Sequence, residues 1–232
     1  MHPSLESFST ELFFEIFEYL SLIDRFRAFA GLNRRLTLMV NLHPVRVNLQ
    51  SISRWDFDFL CRHIRPERVI SLVFSEEKMP DQVKLFLEHF PDFEHQFICL
   101  QSVKLIQTEN CLSILPRCVS CLTFSKMFCG NGVNEMLIQQ AKILTHLNVD
   151  KLRLIQSVNI EFPLLTHLTI DSFCFIDQVD QLIQNFKTPP IFSLNVSFAG
   201  DHDHFPFKFE KMCWSLMYLK HLTIKLVTGR RA

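Results

Sequence analysis

Four cysteines near the middle of the chain are the first candidates for metal chemistry. Cys118 and Cys121 have the C-x-x-C spacing of half a zinc site, and Cys111 and Cys129 lie nearby in the sequence. A structural zinc site needs a second close pair of ligands. The residues around Cys118 and Cys121 follow a strand pattern, in which the two thiols would lie at different depths. We therefore expect reduced cysteines in an intracellular compartment and no zinc site.

A second cluster, His202-Asp203-His204, also contains ligand types, but no further residue with metal-ligand spacing completes it. No spacing specifies a thiol beside an oriented base, the arrangement that nucleophilic catalysis needs. A phosphate-binding glycine loop has no match either, because the nearest candidate, Gly130-Asn131-Gly132, has the pattern of a turn. We expect a non-catalytic protein without a metal or cofactor. A hydrolase or thiol enzyme on an α/β solenoid is the catalytic alternative.

The overall charge disfavours two classes of partner. The chain has 24 Lys and Arg against 24 Asp and Glu among 232 residues, so its formal net charge is zero. Nucleic-acid binders and polybasic membrane-binding proteins depend on a positive excess, so we expect neither nucleic acid nor membrane as a partner. The sequence shows neither a secretory signal pattern nor an apolar run of the roughly 18 residues that a membrane span requires. We expect a cytoplasmic or nuclear protein.

The first 45 residues predict three short helices. The first helix can be capped by Ser9 or Thr10, and Glu11 lies in its first turn. Its apolar stripe consists of Leu12, Phe13, Ile16, Phe17 and Leu20. The second is predicted to begin at Asp24 and to end at Gly31. The third follows a cap at Asn33, and its apolar residues are Leu36, Met39 and Leu42. A unit this small must bury its apolar surplus against a neighbouring domain or a partner.

The same residues resemble the F-box, whose pattern is roughly L-P-x-E-L, I-F-x-Y-L, D-L and a basic V-C-R-R-F ending. The matching runs are Phe8-Ser9-Thr10-Glu11-Leu12, Ile16-Phe17-Glu18-Tyr19-Leu20, Asp24 and Arg34-Arg35-Leu36. The chain has Ser9 where the family has Pro, Arg25 where it has Leu, and Leu32-Asn33 where it has Val-Cys. The resemblance covers about the first fifth of the chain and implies an F-box domain at 1–45.

F-box domains dock on the Skp adaptor, which attaches them to a cullin scaffold in a ubiquitin ligase. The resemblance therefore implies that residues 1–45 bind a Skp-family adaptor. The positions carried over to this sequence are Phe8, Glu11, Leu12, Ile16, Phe17, Leu20, Asp24 and Phe26. Glu11 and Asp24 are expected to fix helix starts, and some of the apolar residues must form the core of the domain itself.

After the helices, seven segments share the pattern apolar-x-x-apolar-x-apolar. Their central apolar residues are Leu72, Val103, Leu122, Leu147, Leu168, Leu194 and Leu222. From the first to the last, 150 residues are covered in six steps, or 25 residues per step. Leucine-rich repeats have a period of roughly 20 to 29 residues and an L-x-x-L-x-L strand. Residues 67–232 therefore resemble an irregular leucine-rich-repeat solenoid, and a linker helix at 46–66, capped by Ser53, is predicted to join it to the F-box.

The connecting segments are predicted to form the outer wall of the solenoid. Helices are predicted at 81–90, 131–142 and 177–186. Phenylalanines at 86, 90, 93 and 97 are expected to pack between repeats and not to line a ligand site. The fold class is thus α/β: a three-helix F-box followed by a parallel strand ladder with helical or irregular outer connectors.

Strand alternation predicts a concave polar surface on the ladder. Its residues expected to bind a protein target are Lys104, Thr123, His146, Asn148, His167, Thr169, Asn195 and His221. His146, His167 and His221 fall in one column, with Asp150 and Asp171 nearby, which would make binding sensitive to pH. An ordinary solvated sheet face has the same composition and is the alternative.

The sequence as a whole predicts the substrate-recognition subunit of a Skp-cullin-F-box ubiquitin ligase. The repeat surface would hold an unknown protein substrate, and other subunits would perform the transfer chemistry. The alternative is a non-ligase interaction scaffold on a leucine-rich-repeat solenoid, in which Ser9 and Arg25 disturb adaptor binding.

Overall fold

The structure is a computed structural model, and it describes residues 8–108, 115–127, 131–150, 161–174, 193–199 and 220–227. The helix predicted at 177–186, Cys111, Cys129 and the His202-Asp203-His204 cluster lie outside these residues.

The three helices predicted in the first 45 residues are present. They are α1 (Thr10–Tyr19), α2 (Leu22–Phe29) and α3 (Arg34–Leu42). The Ser9 hydroxyl oxygen caps α1 by accepting from the Leu12 N–H at 3.3 Å, and the Asn33 side chain caps α3 by accepting from the Leu36 N–H at 2.8 Å. Gly31, with φ of 89°, follows the end of α2.

The predicted start of α2 at Asp24 was wrong, because Ser21 is the cap. The Ser21 hydroxyl oxygen accepts from the Asp24 N–H at 3.2 Å, and the Ser21 O–H donates to the Asp24 carboxylate at 2.6 Å. Asp24 lies in the first turn, and both its backbone N–H and its carboxylate bond to the Ser21 side chain. A serine at this position has the same capping strength as an aspartate, so sequence type alone does not choose between them.

The segment at 46–66 contains more than the predicted linker helix. The helix is α4 (Arg54–His63), and Ser53 caps it as predicted by accepting from the Asp56 N–H at 3.1 Å. A strand that was not predicted, β1 (Val45–Asn48), precedes it. A short 3-10 helix (Pro66–Arg68) then leads into the next strand.

The seven predicted strands are all present and form, with β1, one eight-stranded sheet. They are β2 (Val69–Ser75), β3 (Ser102–Ile106), β4 (Cys121–Ser125), β5 (His146–Val149), β6 (His167–Cys174), β7 (Ser193–Ala199) and β8 (His221–Val227). The strands lie in chain order from β1 to β8, and every neighbouring pair is parallel. Each connection therefore leads to the next strand along the sheet, as in a solenoid.

The register of the sheet confirms the repeat alignment predicted from the sequence. Each central apolar residue pairs with the central residue of the next strand: Leu72, Val103, Leu122, Leu147, Leu168, Leu194 and Leu222. In β2 to β6, all three apolar positions of each pattern are buried, with at most 2% exposed. The period read from the sequence is therefore the period of the structure.

The turns that follow the strands repeat as well. Four residues after the central position, the chain adopts a left-handed conformation at Ser51, Gln107 and Lys126, with φ between 50° and 59°. The Gln107 N–H donates to the carbonyl of Ser125, so the ladder continues into these turns. Non-glycine residues rarely adopt this conformation, and its recurrence at one repeat position indicates that the fold imposes it.

Helices cover the apolar side of the sheet. The connector helices predicted at 81–90 and 131–142 are present as α5 (Gln82–His89) and α7 (Asn131–Gln140). Between them lies a short helix that was not predicted, α6 (Phe93–Gln96). Four phenylalanine rings pack together with centroids 4.6 to 5.9 Å apart, and all four are buried as predicted: Phe86, Phe90, Phe93 and Phe97. The buried Gln82 side chain joins the ends of β1 and β2, since it accepts from the Ser75 N–H and donates to the Leu49 carbonyl.

We predict that replacing Leu147 by Ala lowers the free energy of unfolding by about 2–5 kcal/mol, because a buried leucine leaves a cavity when truncated. The matched control is Leu164→Ala, at a position that is 51% exposed, and its cost should stay within about 0.5 kcal/mol. Urea denaturation of both variants measures the difference. Equal costs for the two variants would contradict the repeat register.

Candidate functional site

One exposed apolar row runs along α1 and includes several predicted adaptor-binding residues. Phe8 is 37% exposed and Leu12 is 39% exposed, while Ile16 and Leu20 are half-buried. These four residues recur at four-residue intervals: Leu12 and Ile16 lie on one side of α1, and Phe8 and Leu20 flank its two ends. We call them the α1 apolar row. Large aliphatic and aromatic side chains exposed together on a helix favour contact with a partner.

The other predicted adaptor-binding residues do not belong to this row. Phe17 and Phe26 lie in the core, with 0% and 3% exposed, so they support the helices and do not reach the surface. Glu11 and Asp24 are exposed in the first turns of α1 and α2. Hydrogen bonds from the Glu11 backbone N–H and from Ser9 lower the pKa of the Glu11 carboxyl, which fits its predicted place at the start of α1. Of the apolar residues predicted for the third helix, Leu36 and Met39 are buried and Leu42 is 51% exposed.

Arg25 has a structural position inside the helical unit. It is only 8% exposed, and its Nη2–H donates to the Phe17 carbonyl at 2.6 Å, near the end of α1. Its Nη1 lies 3.0 Å from His43 Nδ1, and the guanidinium carbon lies 5.1 Å from the centre of the Phe17 ring. Burial lowers the pKa of Arg25, and Glu18 opposes this effect. Arg25 thus joins α1, α2 and the end of α3.

The predicted polar surface of the ladder is formed by two columns of residues that pair from strand to strand. The first column is Arg46, Ser71, Ser102, Cys121, His146, His167, Ser193 and His221. The second column is Asn48, Val73, Lys104, Thr123, Asn148, Thr169, Asn195 and Thr223. We call both columns together the polar face. All eight predicted substrate-binding residues therefore lie on one side of one sheet, as the alternation required.

Two of the three predicted histidines contact each other. The rings of His146 and His167 are stacked, with centroids 4.1 Å apart and planes within 7°. His221 shares their column, but Ser193 lies between it and His167. The predicted row of three is therefore a stacked pair and a separate third histidine.

Neighbouring threonines fix the orientation of the stacked rings. The Thr145 O–H donates to the Ser120 carbonyl at 3.1 Å, and the Thr166 O–H donates to the Thr145 carbonyl at the same distance. Each threonine oxygen also lies 2.9 Å from Nδ1 of the histidine that follows it. Because each hydroxyl proton is already donated to a carbonyl, the histidine must donate from Nδ1. Nε2 of each neutral ring is then left as an acceptor.

Stacking also opposes protonation. Burial lowers the pKa of His146, and the neighbouring His167 lowers it further. Asp150, one of the two carboxylates predicted near the histidines, accepts from the Met127 N–H at Oδ2, at 3.1 Å. The lowered pKa favours the neutral form of His146, whose Nε2 is then a hydrogen-bond acceptor on the polar face.

Four cysteines within the described ranges are free thiols: Cys61, Cys99, Cys118 and Cys121. Burial, with a smaller contribution from Asp58, raises the pKa of the Cys61 thiol to about 12, and burial also raises the pKa of Cys118. The Cys118 thiol donates to the Phe97 carbonyl, with sulfur and oxygen 3.4 Å apart. Within the described ranges, no three His, Cys, Asp or Glu side chains are arranged to hold a metal ion.

The sequence pattern did not predict that Arg46 and Asn48 of β1 belong to the polar face. Arg46 pairs with Ser71 and Asn48 pairs with Val73, which extends both columns to β1. The signal was present, because Val47-Asn48-Leu49 repeats the last three positions of the strand pattern 25 residues before Leu72. Pro44 occupies the position where the other segments have an apolar residue, so the pattern was incomplete there.

Comparison with known proteins gives no family assignment: no protein-family model matches the chain, and no curated protein sequence matches it at a significant level. None of the helices in the described part of the chain combines the length and the apolar character that crossing a bilayer requires.

We predict that His146 makes folding stability depend on pH. Its pKa in the folded state lies below the ordinary value of 6.5, so the unfolded chain takes up the proton more readily. The contribution of the neutral His146 ring to the free energy of unfolding is complete above pH 6.5, and it is lost as the pH falls through the lowered pKa of the folded state. His146→Gln should therefore lose less stability than the wild type between pH 7 and pH 5, as measured by urea denaturation. His221→Gln, at an unstacked position of the same column, is the control, and parallel profiles for wild type and His146→Gln would refute the effect of stacking.

Proposed function

We propose that this protein is the substrate-recognition subunit of a Skp-cullin-F-box ubiquitin ligase and acts in the cytoplasm or nucleus. The three-helix unit binds the Skp-family adaptor, and through it a cullin, while the polar face holds a target protein. The chain performs no catalysis itself. The observation that carries the proposal is the combination of a three-helix unit bearing the α1 apolar row with a regular parallel ladder directly after it.

The geometry of the ladder supports the leucine-rich-repeat part of the proposal. Successive central residues are 19 to 31 positions apart, and their strands are parallel and sequential. Repeats of this length place one strand on one side of a solenoid and a variable connector on the other. In β2 to β6 the apolar residues belong to the buried cluster that includes the helices, so the polar residues remain available to a partner.

The places where the helical unit departs from the F-box pattern have roles within the unit. Ser9 caps α1, Asn33 caps α3, and the Arg25 side chain is buried between the helices. The presence of Arg25 where the F-box pattern has leucine therefore changes the interior of the helical unit and leaves the α1 apolar row unaltered. This favours retained adaptor binding over the alternative of an interaction scaffold that has lost the adaptor.

The polar face supports target binding through hydrogen bonds more than through charge. Lys104 is its only predicted contact residue with a permanent charge, and the others carry hydroxyl, amide or imidazole groups. Such groups select a partner by the placement of its donors and acceptors, because a buried polar group without a partner costs free energy.

Co-expression of the full chain with the Skp adaptor, followed by size-exclusion chromatography, tests the proposal. A stoichiometric complex that also recruits a cullin is the expected result. A folded chain that elutes without the adaptor would overturn the ligase function. A complex with the adaptor that recruits no cullin would indicate the scaffold.

We predict that Leu12→Asp weakens adaptor binding at least tenfold, because it places a charge in the proposed apolar interface. Leu12 is a better test position than the buried Phe17, since Phe17→Asp would unfold the helical unit. Ile98→Asp, on an exposed residue of the repeat region, is the matched control and should bind the adaptor as the wild type does. Circular dichroism must show both variants folded, and equal affinities would place the adaptor surface elsewhere.

A further inference from the structure

A cavity of about 630 Å³ lies where the helical unit meets the sheet. Residues of the α1–α2 connection form one wall, and the residues around β1 form the other. A volume of this size falls in the usual range of ligand-binding pockets, which is about 300–1,000 Å³.

The cavity is continuous with the polar face. Arg46 and Asn48 line it, and they are the β1 members of the two polar columns. Gln50, the next residue on the same side of the chain, lines it as well. A segment of a target protein that crosses the strands along the polar face would therefore enter this cavity at the β1 end.

The lining carries more positive than negative charge. Arg25 and Arg46 contribute two guanidinium groups, and Glu18 contributes the one carboxylate. Glu18 lies at the surface and is 3.4 Å from His43 Nε2. Among the residues that the structure describes, no carboxylate lies within 4 Å of either guanidinium. Arg25 already donates to Phe17 and contacts His43, whereas Arg46 is exposed and makes no such contact within the described ranges.

Apolar side chains also line the cavity. They are Leu20 just after α1, Leu22 and Ile23 in the first turn of α2, and the half-buried Ile70 of β2. An apolar wall beside a free guanidinium matches a ligand that has a carboxylate next to a hydrophobic group.

We propose that this cavity binds an acidic peptide segment of the target protein, with a carboxylate on Arg46 and a neighbouring apolar side chain against Leu20, Leu22 and Ile23. This inference rests on the proposed function of the polar face as the target-binding surface, and it names the chemistry of the bound segment. Of the α1 apolar row, only Leu20 lines the cavity, and the Arg46 variant that tests the inference leaves that row unchanged. Adaptor binding and peptide binding are therefore separate measurements.

Selection of phage-displayed random dodecapeptides on the purified full chain tests the inference. The selected peptides should be enriched in Asp or Glu adjacent to Leu, Ile or Phe. Synthetic versions with a fluorescent label should bind Arg46→Glu at least tenfold more weakly by fluorescence anisotropy, since a charge-assisted hydrogen bond is lost and a repulsion is gained. Arg68→Glu, at an exposed arginine that does not line the cavity, is the matched control and should change affinity less than twofold.

Each outcome decides the question. Selection without acidic enrichment, or equal affinity of the acidic peptides for wild type and Arg46→Glu, would overturn the inference. Displacement of the peptides by inorganic phosphate at equal concentration would show a small-anion site and overturn the peptide assignment. A normal adaptor complex with no acidic peptide binding would remove the inference alone, whereas Arg46-dependent peptide binding without an adaptor complex would leave it standing and remove the ligase function.

Discussion

The structure depends on the burial of three apolar side chains in each of β2 to β6, in a register that repeats from one strand to the next. In β2, Val69, Leu72 and Phe74 lie in the interior, and the equivalent residues of β3 to β6 extend the same layer. Because side chains alternate along a strand, this register also determines which residues face outward. A slip of one residue would place histidines and threonines in the core and leucines in water. The burial of the apolar residues fixes the register, and the register determines which residues form the two columns of the polar face.

The helical unit shares this core, so it is packed on the ladder and not merely connected to it. Phe13 and Phe17 of α1 belong to the same buried cluster as Phe57 of α4 and the strand residues. On the surface, the Arg27 guanidinium donates to Asp56 at 2.6 Å and lies 5.4 Å from the centre of the Phe59 ring, which joins α2 to α4. An exposed ion pair of this kind contributes little by itself, and the shared burial of apolar side chains stabilises the packing more. For a ligase subunit, this packing would hold the target at a fixed place relative to the adaptor.

The polar face and the cavity at its β1 end offer a partner different chemistry. Along the strands, hydroxyl and amide groups dominate, and the His146–His167 pair is oriented by the hydroxyls of Thr145 and Thr166. At β1, the free Arg46 guanidinium lies beside an apolar wall. A bound segment would thus be aligned by hydrogen bonds along the sheet and anchored by charge at one end. This division is typical of selective recognition, in which a few charged contacts determine orientation.

The sequence by itself determined the repeat period, the register of seven strands, the capped helix α4 and two of the three helix starts in the first 45 residues, because these follow from local periodicity and capping chemistry. Tertiary structure decided the rest. β1 has only two of the three apolar positions, so it becomes a strand through pairing with β2. Arg25 is buried because the carbonyl of Phe17 and the ring of His43 converge on it from other helices. The stacking of His146 on His167, with His221 apart, depends on which strands are neighbours, and the cavity exists only where the α1–α2 connection passes over β1. Contacts between residues distant in the chain leave no periodic trace in the sequence, so they emerge only when the elements are packed.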